Sequence, residues 1–493
     1  MTKLSQSPCI LVIFGATGDL TARKLLPALY HLYREDPISI PFICVGVARR
    51  VKSHETFRRE QEKAVSTYSR SGPIDPLLWK EFASRIFYYT AEFSDKEAYL
   101  RLANYLHSLD VQYGTKGNRI YYLSTQPQYF AIIVQNLHDS NMLSRRDDTW
   151  SRVVIEKPFG RDLDSSKALE KNLAEYVQEE QIYRVDHYLG KESVQNIPIF
   201  RFTNPIIESF WNHRSIDCVQ ITIAEDIGIG TRGHFFEREG LLRDLIQNHM
   251  MQLLALIAME PPKDFTAHSI QQQKLRTLRA IKPLTHTVCE KYIVRGQYSA
   301  GMIHGEKVIG YREEKNVDPH SFMETYIAMK LFIDTPRWKG VPFYIRGGKR
   351  MPRRIAEITI VFHPSLYPEL GKEKTYLSIR IQPREGISFS LYAKLPGFDD
   401  ELPQPISLSF SPESFFSTPL PEAYERLLRD CILGNHTLFT TEQEVIESWK
   451  ILTPLLKFWE KHPPHFPNYR AGTWGPEAAA DLLQREGRKW VVV

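Results

Sequence analysis

The sequence predicts two domains in series: an α/β domain built on a parallel sheet, then an α+β domain with a large, mainly antiparallel sheet. Three observations carry this. A continuous apolar run over residues 10–14 passes into Gly15-Ala-Thr-Gly18-Asp-Leu and then into leucines at helical spacing, the strand, glycine turn and helix that open a Rossmann-type dinucleotide-binding domain. Further apolar runs at residues 41–48, 119–124 and 152–155 end at polar or proline-bearing corners, where ligands of open α/β sheets collect. From Phe322 onward the pattern turns to alternation, as in Leu377, Ile379 and Ile381 against Ser378, Arg380 and Gln382, which reads as strands with one buried face. The division is placed at residues 1–185 and 186–493.

The opening loop needs its glycines because a pyrophosphate must approach backbone amides that a side chain would cover. Only G-x-x-G is present, short of the full G-x-G-x-x-G fingerprint, so an ordinary strand-to-helix turn stays open on the loop alone. The second strand ends in Arg49-Arg50 and lacks the carboxylate that an NAD site places there. A guanidinium at that corner matches a 2′-phosphate and favours NADP, against two solvated arginines. The run at 152–155 leads into Glu156-Lys157-Pro158-Phe159-Gly160, with Lys157 a candidate for the junction of cofactor and substrate.

Residues 181–192, Gln-Ile-Tyr-Arg-Val-Asp-His-Tyr-Leu-Gly-Lys-Glu, gather an acid, an imidazole, a phenol, a glycine and a lysine in twelve positions. Asp186 can orient an imidazole, while His187, Tyr188 and Lys191 can all donate to phosphate oxygens. A helix starting near Gly190 would add its unpaired amides. The alternative is a surface turn with solvated charges. A helical stretch over 191–200, a strand over 218–225 and a long helix over 240–260 follow. That helix includes Arg243-Asp-Leu-Ile-Gln-Asn-His249, with Asp244 and His249 about 140° apart at an α-helical pitch. After the alternating strands come helices over 422–433 and 441–461 and a tail rich in proline and tryptophan.

Composition narrows the function. Apolar residues make up 42% and charged residues 25%, ordinary for a soluble globular protein. The 63 basic against 58 acidic side chains leave a net charge of +5 with no basic run of five or more, which argues against a nucleic-acid footprint and allows anionic small ligands. Five scattered cysteines without a C-x-x-C pair argue against a disulfide framework or a cysteine zinc site and fit the cytoplasm. No apolar stretch reads as a membrane span or a signal peptide.

With the glycine loop, Glu-Lys-Pro-Phe-Gly, Arg-Val-Asp-His-Tyr-Leu-Gly-Lys-Glu and Arg-Asp-Leu-Ile-Gln-Asn-His in this order, the chain resembles the glucose-6-phosphate dehydrogenase family from Gly15 to Pro476. The resemblance implies oxidation of β-D-glucose 6-phosphate at C1 with hydride transfer to NADP⁺, the first step of the oxidative pentose phosphate pathway, without a metal. It implies His249 as the base, Asp186 as its acid partner and Lys157 near the reacting hydroxyl, with a cis bond before Pro158. His187, Tyr188 and Lys191 become the phosphate clamp; Glu225, Asp244, Lys349 and Arg354 complete the substrate site. Gly15, Thr17, Gly18, Asp19, Leu20, Lys24, Arg49, Tyr122 and Lys157 become the cofactor site. Taken alone, His249 reads as a packed helix histidine and residues 346–354 as a solvated basic loop. Ser124-Thr-Gln-Pro127 departs from the family's usual Ala-Leu-Pro-Pro, and Ile355 and Trp474 stand where eukaryotic members bind a structural NADP⁺, so no such site is expected. The resemblance also implies a homodimer through the large sheet, or a tetramer. Two alternatives remain: a dehydrogenase of a related aldose phosphate, and a non-catalytic NADP or sugar-phosphate sensor on the same scaffold.

Overall fold

The apolar run at the N-terminus forms β1, Cys9–Phe14, buried at every residue, as expected of a parallel strand covered on both faces. The computed structural model describes residues 8–35, 42–70, 72–143, 149–367, 374–394, 396, 403–416 and 419–492. Pro41, expected to open the second strand, lies outside them. Two compact units emerge from the packing. The first comprises residues 1–190, 265–271 and 421–443; the second comprises 191–264, 272–420 and 444–493. The segments 265–271 and 421–443 thus pack with the first unit, although the sequence division at 185 had placed both in the second domain.

In the first unit β2 (Phe42–Ala48), β3 (Ile86–Thr90), β4 (Arg119–Leu123), β5 (Ser151–Glu156) and β6 (Ile182–Val185) join β1 in the order β3-β2-β1-β4-β5-β6. All these pairs are parallel. A short strand, Phe439–Thr440, adds an antiparallel edge to β6. The order reverses between β1 and β4, and the ligand crevice of a doubly wound sheet opens at the carboxyl ends of such a pair. Gly15 and Ser124 occupy those two ends.

The second unit carries β7 (Ile216–Ala224), β8 (Ile293–Gly296), β9 (Tyr326–Phe332), β10 (Pro342–Gly348), β11 (Ile355–Phe362), β12 (Tyr376–Gln382), β13 (Gly386–Ala393) and β14 (Gln404–Phe410). Their order is β14-β13-β12-β11-β7-β10-β9-β8. Every pair is antiparallel except β7 with β10, so the sheet is mainly antiparallel as expected, with one parallel pair where β7 enters its centre. The alternation of the sequence also sorts differently. β7 and β10 bury every residue, because the C-terminal segment covers the polar face: Gln220 donates to Lys489 O and accepts from Val491 N–H, and Arg488 forks onto Asp217. At the other edge β14, paired on one side with β13, is exposed at every residue but Phe410, which packs against Phe415 and Phe416.

Candidate active site

Local physics sets the geometry of the first unit's site. Gly15 has φ +85°, a conformation that side-chain-bearing residues rarely adopt. A Cβ there would lie 2.1 Å from Ser124 O, so β1 and β4 can approach this closely only at glycine. Gly18 N–H closes the turn onto Gly15 O at 2.8 Å. The helix that follows starts as a π-helical turn, Thr21–Leu25, with Leu26 N–H bonded to Thr21 O. Asp19 pairs with Arg23 at 2.7 Å and Lys24 with Glu422 at 2.8 Å, both exposed. At the end of β2, Arg49 and Arg50 are exposed, and no carboxylate pairs with either among the described residues.

Beside this loop Tyr122, buried, donates to Glu156 at 2.5 Å, and Tyr424 reaches the same oxygen at 3.3 Å. Burial pushes the Glu156 carboxyl up to about 7, against the pull of the two phenols and the Lys157 ammonium. The Lys157–Pro158 bond is cis. Beyond β6, Asp186 is buried and accepts from Tyr188 N–H at 3.0 Å, which folds residues 186–189 into a tight turn. The ring of His187 stacks on Tyr424 and tilts against Tyr188.

In the second unit Lys191 is the residue before the helix Glu192–Phe202, and its ammonium donates to Gln382 at 3.3 Å. The helix starts two residues after Gly190, and its Ser193 N–H is taken by the Glu385 carboxylate at 2.6 Å. Lys349, buried at the end of β10, bridges Glu225 at 2.6 Å and Asp244 at 3.5 Å. Burial works against its charge, but the two carboxylates outweigh it and raise the ammonium's pKa.

The segment Leu242–Met250, which holds Asp244 and His249, is π-helical. Met251 N–H reaches back five residues to Ile246 O, and the Asn248 side-chain amide donates to the Arg243 carbonyl. The 140° separation expected from an α-helix therefore does not hold: with bonds from i to i+5, residues five apart lie a little over one turn apart, so Asp244 and His249 share one face of the helix, as residues four apart do in an α-helix. His249 is buried, and its N–H donates to the Asn248 side chain at 2.7 Å. The helix is anchored at both ends. Leu242 N–H is accepted by the buried Glu324 carboxyl at 3.1 Å, while Arg201, Trp211 and Trp338 donate to the carbonyls of Leu256, Ile257 and Ala258. A non-helical Gly240 separates it from the preceding helix.

Gly15, Thr17, Gly18, Asp19, Leu20, Lys24, Arg49, Tyr122, Lys157, Asp186, His187 and Tyr188 belong to the first unit; Lys191, Glu225, Asp244, His249, Lys349 and Arg354 belong to the second. Arg354 is exposed. Ile355 is buried in β11, and Trp474 lies over the Arg346 guanidinium, which Trp490 also covers. Among the described residues no three His, Cys, Asp or Glu side chains are arranged to hold a metal. The sequence reading missed Glu156 and Tyr424 as site components. Glu156 stood inside a quoted motif, whereas Tyr424 lies 268 positions from it, and no local spacing pairs them.

Comparisons with known proteins agree on one family. Residues 12–196 match the glucose-6-phosphate dehydrogenase NAD binding domain, and residues 198–491 match the C-terminal domain of the same name. The chain is similar to glucose-6-phosphate 1-dehydrogenase of Chlamydia muridarum, 50% identical over 494 residues, with 98% of this chain and 96% of the relative covered. It is similar to the Bacillus subtilis enzyme at 41% identity over 494 residues, 99% of each. A solved glucose-6-phosphate dehydrogenase in complex with its substrate glucose 6-phosphate matches with a TM-score of 0.89 at 32% identity, covering 100% of both chains. The glucose-6-phosphate 1-dehydrogenase of Mycobacterium avium matches with a TM-score of 0.82 at 32% identity over 98% of each.

Proposed function

The chain belongs to the glucose-6-phosphate dehydrogenase family, and on that premise we infer that it oxidises the C1 hydroxyl of β-D-glucose 6-phosphate to 6-phospho-D-glucono-1,5-lactone, the first step of the oxidative pentose phosphate pathway. The observation that carries the reading is the π-helical winding that aligns Asp244 with His249 while Lys349 holds Asp244. A sensor would need the clamp but not a base on that line.

His249 takes the proton of the C1 hydroxyl, a task that suits an imidazole, whose unperturbed pKa lies near neutral pH. Asp186 supplies the compensating negative charge for the imidazolium. His187, Tyr188 and Lys191 hold the phosphate, while Glu225 and Asp244 accept from sugar hydroxyls, with Lys349 and Arg354 completing the binding groups. Lys157 orients the reacting end of the sugar.

The close approach at Gly15 and the turn after it fit a pyrophosphate, and Gly15, Thr17, Gly18, Asp19, Leu20, Lys24, Arg49, Tyr122 and Lys157 would hold the dinucleotide. A nicotinamide held there would supply the acceptor for the C1 hydride. We assign NADP⁺ over NAD⁺ because the end of β2 offers exposed Arg49 and Arg50 and no carboxylate for a ribose hydroxyl. Lys24 can join them, since its exposed pair with Glu422 is worth little. A homodimer, or a tetramer built from it, fits the uncovered β14, where Leu408 is 58% exposed. The five free, buried thiols fit the cytoplasm, and no described helix is long and apolar enough to cross a membrane.

The test follows the rise in reduced-nicotinamide absorbance with glucose 6-phosphate and NADP⁺, wild type against His249→Asn. A loss of roughly 10²-fold or more in kcat, with substrate binding kept, is expected on removing a general base. An equally active variant would remove His249 from the role. A folded wild type that binds both ligands without turnover would make the sensor reading correct.

A further inference from the structure

Lys349 is held by its backbone as tightly as by its ammonium. Its N–H donates to Thr325 O at 2.9 Å, and its carbonyl accepts from the Tyr469 hydroxyl at 2.8 Å. The next residue, Arg350, has φ +53°, a costly conformation for a residue with a side chain. It persists because Arg350 N–H is bonded to Ile227 O and Arg350 O accepts from Gly472 N–H at 2.8 Å. Two of these four ties come from the C-terminal segment around the strand Tyr469–Arg470.

The remaining polar contacts of the Tyr469 hydroxyl all stay at this point. It lies 3.3 Å from Thr325 O and 3.0 Å from the Thr325 hydroxyl, which itself accepts from Tyr298 N–H. The ring is packed independently of the hydroxyl, with the rings of Tyr326 and Tyr298 at 5.6 and 6.3 Å. Burial pushes the phenol far up, so it remains a donor across the working range. The ring therefore fills space and the hydroxyl fixes the turn.

We propose that Tyr469 is a positioning residue for sugar-phosphate binding: its hydroxyl holds the turn at residues 349–350 so that the Lys349 ammonium stays between Glu225 and Asp244. The idea rests on the family reading of this site and extends it to a residue 120 positions from the lysine. Released from its donor, the Lys349 carbonyl turns toward another partner, the left-handed turn relaxes, and the ammonium loses its fixed place among the carboxylates.

The experiment is steady-state kinetics of the full chain with both substrates varied, comparing wild type, Tyr469→Phe and Thr473→Ala. The phenylalanine keeps the ring and removes only the hydroxyl. Loss of one buried hydrogen bond corresponds to about a fivefold effect, expected as a rise in KM for glucose 6-phosphate with KM for NADP⁺ unchanged. Thr473→Ala removes a hydrogen bond to Arg470 O in the same segment and leaves both KM values as they were. Thr325→Val, which strips the partner hydroxyl from Tyr469, moves KM for glucose 6-phosphate in the same direction by about twofold. A merely structural role would lower the melting temperature of Tyr469→Phe without separating the two KM values, and that result overturns the proposal. So does an unchanged KM in Thr325→Val. Wild type without turnover would overturn the proposed dehydrogenase activity, a different failure from an active wild type and an indifferent Tyr469→Phe.

Discussion

Replacing Lys349 by methionine tests the centre of the second unit's site. The substitution keeps the length of the stem and removes the charge between Glu225 at 2.6 Å and Asp244 at 3.5 Å. At an effective dielectric of about 20, Coulomb's law gives about 6 and about 5 kcal/mol for the two attractions, as gross upper bounds. Most of this is offset by the desolvation of an ammonium that is 1% exposed. Removing one partner of a buried pair costs roughly 3–5 kcal/mol, and the 32% exposure of Glu225 brings the expected loss toward about 2 kcal/mol. The two carboxylates left behind then repel each other, and KM for glucose 6-phosphate should rise at least about tenfold, because like charges raise the cost of presenting both to sugar hydroxyls. The sign of the pH dependence is set by the lysine. Its folded-state pKa is raised above 10.5, so the stabilisation is fully present below the unfolded value of about 10.4 and is lost only as pH rises through the higher folded value. Denaturant titrations followed by tryptophan fluorescence should show a constant gap between wild type and Lys349→Met from neutral pH to about 10, closing above it. Equal midpoints and equal KM values would refute the bridging role.

Gly15→Ala places a Cβ 2.1 Å from Ser124 O at φ +85°, which adds roughly 1–2 kcal/mol of left-handed strain to an overlap that backbone movement alone can relieve. Fluorescence titration with NADPH should show affinity falling at least about 30-fold, with KM for glucose 6-phosphate much less affected; unchanged affinity would mean the loop does not hold the pyrophosphate. Glu156→Gln removes a carboxyl whose folded pKa is raised from 4.5 to about 7. The folded wild type binds more protons than the unfolded chain across that window, so its stability falls as pH rises from about 4.5 to about 7. Glutamine cannot ionise, and its stability relative to wild type should rise with pH over the same interval; a pH-independent difference would contradict the raised carboxyl.

The parts of the fold that could be read were those with a local cause. β1 and its glycine turn were legible because burial on both faces demands an uninterrupted apolar run, and because Gly15 takes a conformation that other residues pay for. The order of the second sheet was not. β7 pairs in parallel with β10 across more than a hundred residues, and alternation states which face of a strand is buried without naming its neighbour. It also failed at β10 and β14, where burial depends on what covers each face. Among site residues, the clustered ones were visible, whereas Tyr424 meets Glu156 and His187 only after folding.

The misreading of the Asp244–His249 geometry has a mechanical origin. A helical template of 3.6 residues per turn assumes that a helix is free to choose its pitch. This one is fixed at both ends, by Glu324 on Leu242 N–H and by Arg201, Trp211 and Trp338 on its last carbonyls. With both ends pinned, the helix must take up any extra residue within its length, and the π-helical turn of Leu242–Met250 is where it does so. Such turns are rare and concentrate at functional sites; among the described residues of the first unit, Thr21–Leu25 is π-helical too and follows the glycine loop. The end anchors therefore bear on function although none of them needs to touch substrate. They maintain the winding that keeps a carboxylate and an imidazole five residues apart on one face, an arrangement that a regular α-helix of the same sequence would lose.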